Sequence, residues 1–272
     1  MLITDELTNK VYFSQRITWY NCWKDIEKAL KENGVDYALL PNTKDVWVRD
    51  FMPIQTDTDR FVGYSYNPNY LEDFPHLRTD DATKCYDFNE SDYEYLNLKI
   101  DGGNVVKCDD KVIMTEKVFE ENDSISKDDV IGLIKDALHV KDIVIIPWDT
   151  EEDYGHADGM VRYVSPGHVL INQYIDIDEP LRERIISALT PYFSNISELS
   201  YGKNSRAVSW AHLNFLRVRN IIFVPKLNIP SDEMAVEQID NIYKNCKIVP
   251  ILANGIVRRG GALNCISWNI KE

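Results

Sequence analysis

The stretch Gly155-His156-Ala157-Asp158-Gly159-Met160-Val161-Arg162-Tyr163-Val164 runs from a glycine-flanked polar loop straight into an apolar strand. Four other stretches share that layout: VWVRDFMPIQ (46–55), DGGNVVKC (101–108), AHLNFLRV (211–218) and GGALNCISW (260–268). One polar residue from each (Asp50, Asn104, Asp158, Asn214 and Cys265) gives successive intervals of 54, 54, 56 and 51 residues. A near-constant period with negligible identity between units points to a repeat architecture. Closed into a ring, the five units would aim these side chains at one axial pocket. A solenoid of the same period would instead spread them along a surface. Converging carboxylates are costly to bury unless they hold a cation, so a ring would enclose a chemical site rather than a core.

Between these segments, strands and helices alternate, an α/β pattern. Four helices follow from apolar spacing. Trp19, Trp23, Ile26 and Leu30 form the first. Val130, Ile134 and Leu138 follow Ser126 as N-cap. Leu181, Ile185, Leu189 and Tyr192 follow Pro180. Ala235, Ile239 and Ile242 follow a start near Ser231. Strands are expected at 37–40, 112–114, 143–146, 169–171, 221–224 and 248–252, with polar turns at 56–60, 109–111, 165–167 and 219–220. Residues 68–97 carry no clear period and receive no assignment. No linker or composition break divides residues 1–272, which are expected to form a single domain.

The 272 residues hold 30 Lys+Arg against 44 Asp+Glu, a formal net charge of −14. That balance argues against nucleic acid and anionic membrane as partners and is compatible with a small cationic one. No apolar run approaches membrane-spanning length, and the first residues lack a signal-peptide pattern. The five cysteines are an odd number without C-x-x-C, which fits free thiols in a reducing compartment; cytoplasmic localisation is the expectation.

Residue by residue, each segment has two readings. His156 and Asp158 stand at i and i+2. On an extended chain they share a face, giving either an acid/base beside a binding carboxylate or a pair that merely satisfies a turn. A metal is disfavoured, because no further ligand has metal-site spacing. In Trp47-Val48-Arg49-Asp50, strand alternation puts Asp50 on the valine side, as a site carboxylate or as half of a buried Asp–Arg pair. Asp101-Gly102-Gly103-Asn104 reads as a tight turn and lacks the dinucleotide-binding spacing. Gly260 and Gly261 would let backbone approach a ligand near Cys265, which on its own reads equally well as a small buried hydrophobe. Cys22, Cys85, Cys108 and Cys246 receive that second reading.

Taken as a set, the segments resemble the agmatine deiminase and bacterial peptidylarginine deiminase family. VWVRDFMP is similar to its W-x-R-D-x-x-P element, IDGGN to E-G-G-N, and GHADGMVRYV to G-H-x-D-x-x-x-R-F-V. SWAHLNF is similar to S-Y-x-N-F, and GGALNCISW to G-G-x-x-H-C-I. The five occur in the family's order from about Trp47 to Trp268. The resemblance implies a pentein fold, a five-bladed pseudo-symmetric α/β propeller of guanidine-modifying enzymes.

It also implies roles. Cys265 matches the nucleophile that attacks the guanidinium carbon, and His156 the general acid/base. Asp50 and Asp158 match the carboxylates that grip the guanidinium nitrogens, and Asn214 the assisting asparagine. Trp47, Asp101 and Asn104 fall to substrate binding. The implied reaction converts agmatine to N-carbamoylputrescine plus ammonia through a Cys-thiouronium intermediate, on a route to putrescine, with no cofactor and no metal. A homodimer is compatible with the resemblance. Alternatives are deimination of arginine or peptidyl-arginine, amidino transfer, and a non-catalytic pentein that binds guanidines. Three departures bear on substrate: the chain is shorter than typical agmatine deiminases, Asn264 replaces the usual His, and Asp101 replaces the usual Glu. Arg206, Arg258 and Arg259 are either surface charge or binders of a substrate carboxylate.

Overall fold

The computed structural model describes residues 2–152, 154–202 and 206–272. Strand β1 (Lys10–Ser14), helix α1 (Trp23–Glu32) and strand β2 (Asp36–Leu40) come first. A helical turn α2 (Val48–Phe51) then leads into the hairpin β3 (Ile54–Asp57) and β4 (Arg60–Ser65), followed by β5 (Tyr93–Lys99). The third unit is β6 (Val106–Cys108), β7 (Lys111–Thr115), α3 (Lys117–Glu121), α4 (Lys127–Leu138) and β8 (Asp142–Ile146). The fourth is β9 (Val161–Ser165), β10 (His168–Ile171), α5 (Tyr174–Ile177), α6 (Glu179–Leu189) and β11 (Asn195–Glu198). The fifth is α7 (Arg206–Ser209), β12 (Leu216–Val218), β13 (Ile221–Lys226), α8 (Ser231–Ile242) and β14 (Lys247–Leu252). Helix α9 (Asn254–Val257) and strand β15 (Ser267–Ile270) end the chain.

These strands make five three-stranded sheets with one design: an antiparallel hairpin, then a crossover to a parallel third strand. The first sheet takes its hairpin partner from the other end of the chain. β15 pairs antiparallel with β1, Tyr12 opposite Trp268, so the ends clasp each other. Lys10 Nζ and Glu272 tighten the clasp at 2.8 Å.

All six sequence-predicted strands are present. In the hairpin turns, Asp109, Gly167 and Arg219 take positive φ. The helices hold with two corrections. Trp19 is not part of α1; it ends a separate 3-10 turn, closed by Tyr20 N to Ile17 O, and is 73% exposed. Tyr192 lies beyond α6, which ends at Leu189; Thr190 N still bonds to Ile186 O, but Pro191 has no N–H to carry the ladder further. The unassigned stretch 68–97 is the β4–β5 crossover. It uses short 3-10 turns where the neighbouring units use a helix, and then forms β5. Its apolar anchors are Tyr86 and Phe88, which pack edge-on or tilted against Trp268 and Phe61 at 5.2 and 5.1 Å.

The first strands surround an axis. Lys107, Arg162 and Asn269 reach Asp5 at 3.7, 2.9 and 3.2 Å, and Arg217 reaches Glu6 at 3.5 Å. The residues before β1 thus close one end of the axis with acidic side chains. A cavity of about 20 Å³, lined by Asp5, Arg162, Asp158 and Asn264 among others, separates this plug from the opposite end. Among the described residues, no helix is long and apolar enough to cross a membrane.

Candidate active site

The five repeated polar loops all enter first strands at the unplugged end of the axis. Asn104, Asn214 and Cys265 each stand two residues before β6, β12 and β15. Asp158 and Asp50 stand three and four before β9 and β3.

Residues 46–51 are not a strand. Asp50 N bonds to Trp47 O and Met52 N to Val48 O, winding α2 and overturning the expected alternation. Asp50 forms no pair with Arg49. Its Oδ1 accepts from Gly103 N at 3.1 Å, while Arg49 turns to Asn269 Oδ1 at 2.6 Å. His156 and Asp158 do not lie on an extended chain either, because residues 157–159 form a 3-10 turn. They still face one site, with different partners.

His156 Nε2 donates to Asp101 Oδ2 at 3.0 Å, and Nδ1 stands 3.7 Å from Asp50 Oδ1. Burial disfavours the imidazolium, but the Asp50 and Asp101 carboxylates outweigh it, so His156 titrates above its ordinary value. Burial pushes Asp50 up to about 7, with His156 opposing. Burial also acts on Asp101, but His156 and Lys117 prevail and hold it below the usual carboxylate range. The pair Gly102-Gly103 is more than a turn. A Cβ on Gly103 would stand 2.6 Å from His156 Nδ1 and 2.7 Å from Asp50 Oδ1, and one on Gly102 would stand 2.0 Å from Arg49 O. Only glycine lets this loop sit against both catalytic candidates.

Cys265 Sγ is 3.3 Å from Asn214 Oδ1 and 3.9 Å from Asp158 Oδ2. Asn214 Oδ1 also accepts from Cys265 N at 3.3 Å. Asn264 donates to Asp158 Oδ2 at 2.6 Å, orienting that carboxylate toward the thiol. Burial, then the charges of Asp158 and Asp50, push the Cys265 thiol well above its ordinary value. Cys22, Cys85, Cys108 and Cys246 are free thiols as well, and burial raises each of them. Facing carboxylates across an open cavity, not acidity, set Cys265 apart.

Two cavities meet at this point. One, of about 570 Å³, is lined by Glu151, Glu152, Asp158, Trp210, Arg258 and Arg259 among others. The second, of about 510 Å³, is lined by Asp45, Trp47, Asp50, Tyr66, Tyr70 and Phe74 among others. Cys265, His156, Tyr154 and Gly260 belong to both. Glycines again allow the approach: a Cβ on Gly260 would stand 2.3 Å from Tyr154 Oη, and one on Gly261 2.2 Å from the Trp47 ring. Arg258 and Arg259 line the first cavity, with the Arg259 guanidinium 5.0 Å over the Tyr20 ring. The Arg206 side chain lies outside the described residues.

Asp101 and Asn104, expected to touch substrate, line neither cavity. They form the layer behind it. Asn104 Oδ1 accepts from Thr115 N at 2.9 Å and Ala157 N at 3.3 Å, tying the second loop to the third. Sequence reading missed Lys117. Its Nζ is buried, 2.8 Å from Asp101 Oδ2, 3.2 Å from Glu121 Oε1 and 4.9 Å over the Tyr70 ring. In sequence, Lys117 and Glu121 are an ordinary i,i+4 helix pair, which gives no sign of burial. Burial, with the Asp101 charge, pushes Glu121 up to about 7. Among the described residues, no group of three or more His, Cys, Asp or Glu could hold a metal ion.

Agmatine deiminase of Pseudomonas putida is 24% identical over 293 residues, spanning 90% of this chain and 79% of that protein. A Mycoplasma capricolum relative is 24% identical, and there this chain spans 61% of the relative's length. The solved C. jejuni agmatine deiminase superposes with a TM-score of 0.79 at 15% identity, covering 100% of this chain and 96% of that one. A dimethylarginine dimethylaminohydrolase structure gives 0.64 at 12% identity, covering 97% and 100%. The five-sheet ring is the pentein fold. The model of the Porphyromonas-type peptidyl-arginine deiminase family matches residues 15–270, and the chain belongs to that family.

Proposed function

We propose that this protein is a guanidine hydrolase that converts agmatine to N-carbamoylputrescine and ammonia. One observation carries the reading: Cys265, Asp50 and the His156/Asp158 pair, from three separate parts of the sequence, line one connected site. A planar cation between two carboxylates is held by charge-assisted hydrogen bonds that also orient it. Asp158 and Asp50 provide those acceptors on either side of the thiol.

In the free protein, the Asp158 and Asp50 charges disfavour a thiolate at Cys265. A bound guanidinium offsets both charges, so the substrate itself brings the thiol toward its reactive form. The thiolate adds to the guanidinium carbon. His156, already inclined to carry a proton, gives it to the departing nitrogen as the C–N bond breaks. The neutral imidazole then takes a proton from water, whose oxygen displaces the thiolate and yields the ureido product. Asn214 holds the Cys265 backbone, and Asp101 holds the imidazole.

Glu151 and Glu152 in the wall of the first cavity support a substrate with a distal amine. Arg258 in the same wall supports a second reading, a substrate carboxylate, as in arginine or the end of a peptide. The test is purified protein with agmatine, arginine and a peptidyl-arginine, reading ammonia and ureido product. Agmatine is expected to give the highest kcat/KM, and Cys265→Ala is expected to abolish turnover. An acceptor amine that yields a new guanidine would identify amidino transfer instead. No turnover of any guanidine, with Cys265 labelled by a thiol probe no faster than Cys22, would identify a binding protein.

A further inference from the structure

Lys107 is the middle residue of β6, and its side chain is only 9% exposed. The nearest carboxylate oxygen, Asp5 Oδ1, stands 3.7 Å from Nζ, beyond hydrogen-bond reach. Arg49 approaches the same region from α2. Among the described residues it forms no ion pair: Nη2 donates to Asn269 Oδ1 at 2.6 Å and Nε to Asn264 O at 3.4 Å, both neutral acceptors. Two cations therefore share the axis with no carboxylate bonded to either. A charge buried in that way is costly unless a counter-charge is supplied. Burial pulls the Lys107 ammonium down to about 8 against the Asp5 charge, and Arg49 adds to the fall.

Lys107 and Arg49 border space on two sides. On one side lies the small axial cavity described above, where the acids Asp5 and Asp158 stand with Arg162. On the other is a further cavity of about 20 Å³, lined by Arg49, Lys107, Gln55, Gly102, Trp268 and Asn269 among others. Among its described lining residues there is no carboxylate. One water-sized particle needs about 10–15 Å³, so this space takes a single small ion and excludes a tetrahedral oxyanion such as phosphate or sulfate.

We propose that this carboxylate-free axial cavity is an anion site for a halide-sized ion, held between the Lys107 ammonium and the Arg49 guanidinium. The ion supplies the missing counter-charge. It also bears on the loops above it. Arg49 N donates to Cys265 O at 3.1 Å, and Gly102 sits so close that a Cβ there would stand 2.0 Å from Arg49 O. An ion that fixes Arg49 therefore steadies the loops that carry Asp50, Asp101 and Cys265, whichever guanidine the protein takes.

The experiment is thermal unfolding of the full chain at pH 7 in sodium chloride, bromide or gluconate at one ionic strength, together with anomalous scattering from bromide-soaked crystals. Chloride and bromide are expected to raise Tm saturably, by about 3 °C at ten times the Kd, and bromide is expected between Lys107 Nζ and Arg49. Lys107→Met removes one cation, and Val105→Leu fills the cavity wall with both cations in place. In each variant the Tm difference between chloride and gluconate is expected to vanish. An equal Tm in chloride and gluconate would overturn the inference. So would a halide shift retained in either variant, or bromide crystals in which the cavity holds water alone.

Discussion

His156 stands between two carboxylates and one lysine, and this arrangement sets what each substitution does. Asp101 and Asp50 raise its pKa against burial, while Lys117 behind Asp101 acts the other way. Asp101→Asn removes one raising charge and leaves Lys117 paired with Glu121 alone. Both changes lower the His156 pKa, so the alkaline limb of kcat/KM, where the acid loses its proton, is expected to move down by about one pH unit. A pH–rate profile checks this, and an unmoved limb would mean Asp101 does not govern His156. Gly103→Ala acts on the same pair by volume. Its methyl would need the space now separating His156 from Asp50. Activity is expected to fall more than tenfold, with about 2 kcal/mol of stability lost to overpacking, read by kinetics beside thermal unfolding. At this scale the sequence was legible where side chains carry unusual chemistry. Cys265, His156, Asp50 and Asp158 could be named from their loops. Lys117 could not, because its burial comes from Tyr70 and Asp101, which lie far from it in the chain.

Among the elements, those that match the sequence are those whose signal is local. α4 begins where Ser126 accepts from Asp129 N, and it buries Val130, Ile134 and Leu138. Ser126→Ala is expected to cost about 1 kcal/mol and to leave kcat/KM for agmatine unchanged, because the cap lies outside both cavities. Denaturant unfolding and steady-state kinetics on one preparation test both halves. Elements that departed from the sequence answer to distant partners. Residues 46–51 alternate like a strand, yet Arg49 N is captured by Cys265 O at 3.1 Å, and the segment winds into a turn against the last loop. Residues 68–97 lack a period because the crossover they form is held by rings from Phe61 and Trp268 rather than by a helix face.

At the level of the whole molecule, the ring is closed by the pairing of β1 with β15. Asp5 is held well below the usual carboxylate range, because Lys107, Arg162 and Arg49 outweigh its burial. A depressed folded pKa stabilises above the unfolded value of 3.8 and is lost as the pH falls below it. Asp5→Asn leaves those cations without their acid and is expected to cost about 3 kcal/mol at neutral pH, a difference that narrows toward pH 3 in thermal melts. We also propose that residues 1–272 unfold as one domain, because β15 completes the sheet of β1. A single calorimetric transition with equal van't Hoff and calorimetric enthalpies checks this, and two separated transitions would refute it. The sequence by itself determined the five-unit period, the strands and the loop residues that bear the chemistry, because these rest on side-chain type and near-neighbour spacing. The tertiary structure alone decided that the period closes into a ring rather than extending as a solenoid. Only closure pairs the first strand with the last. It also divides Asp50 and Asp158 between two cavities and puts Lys117 behind His156, because those contacts join residues that the chain keeps far apart.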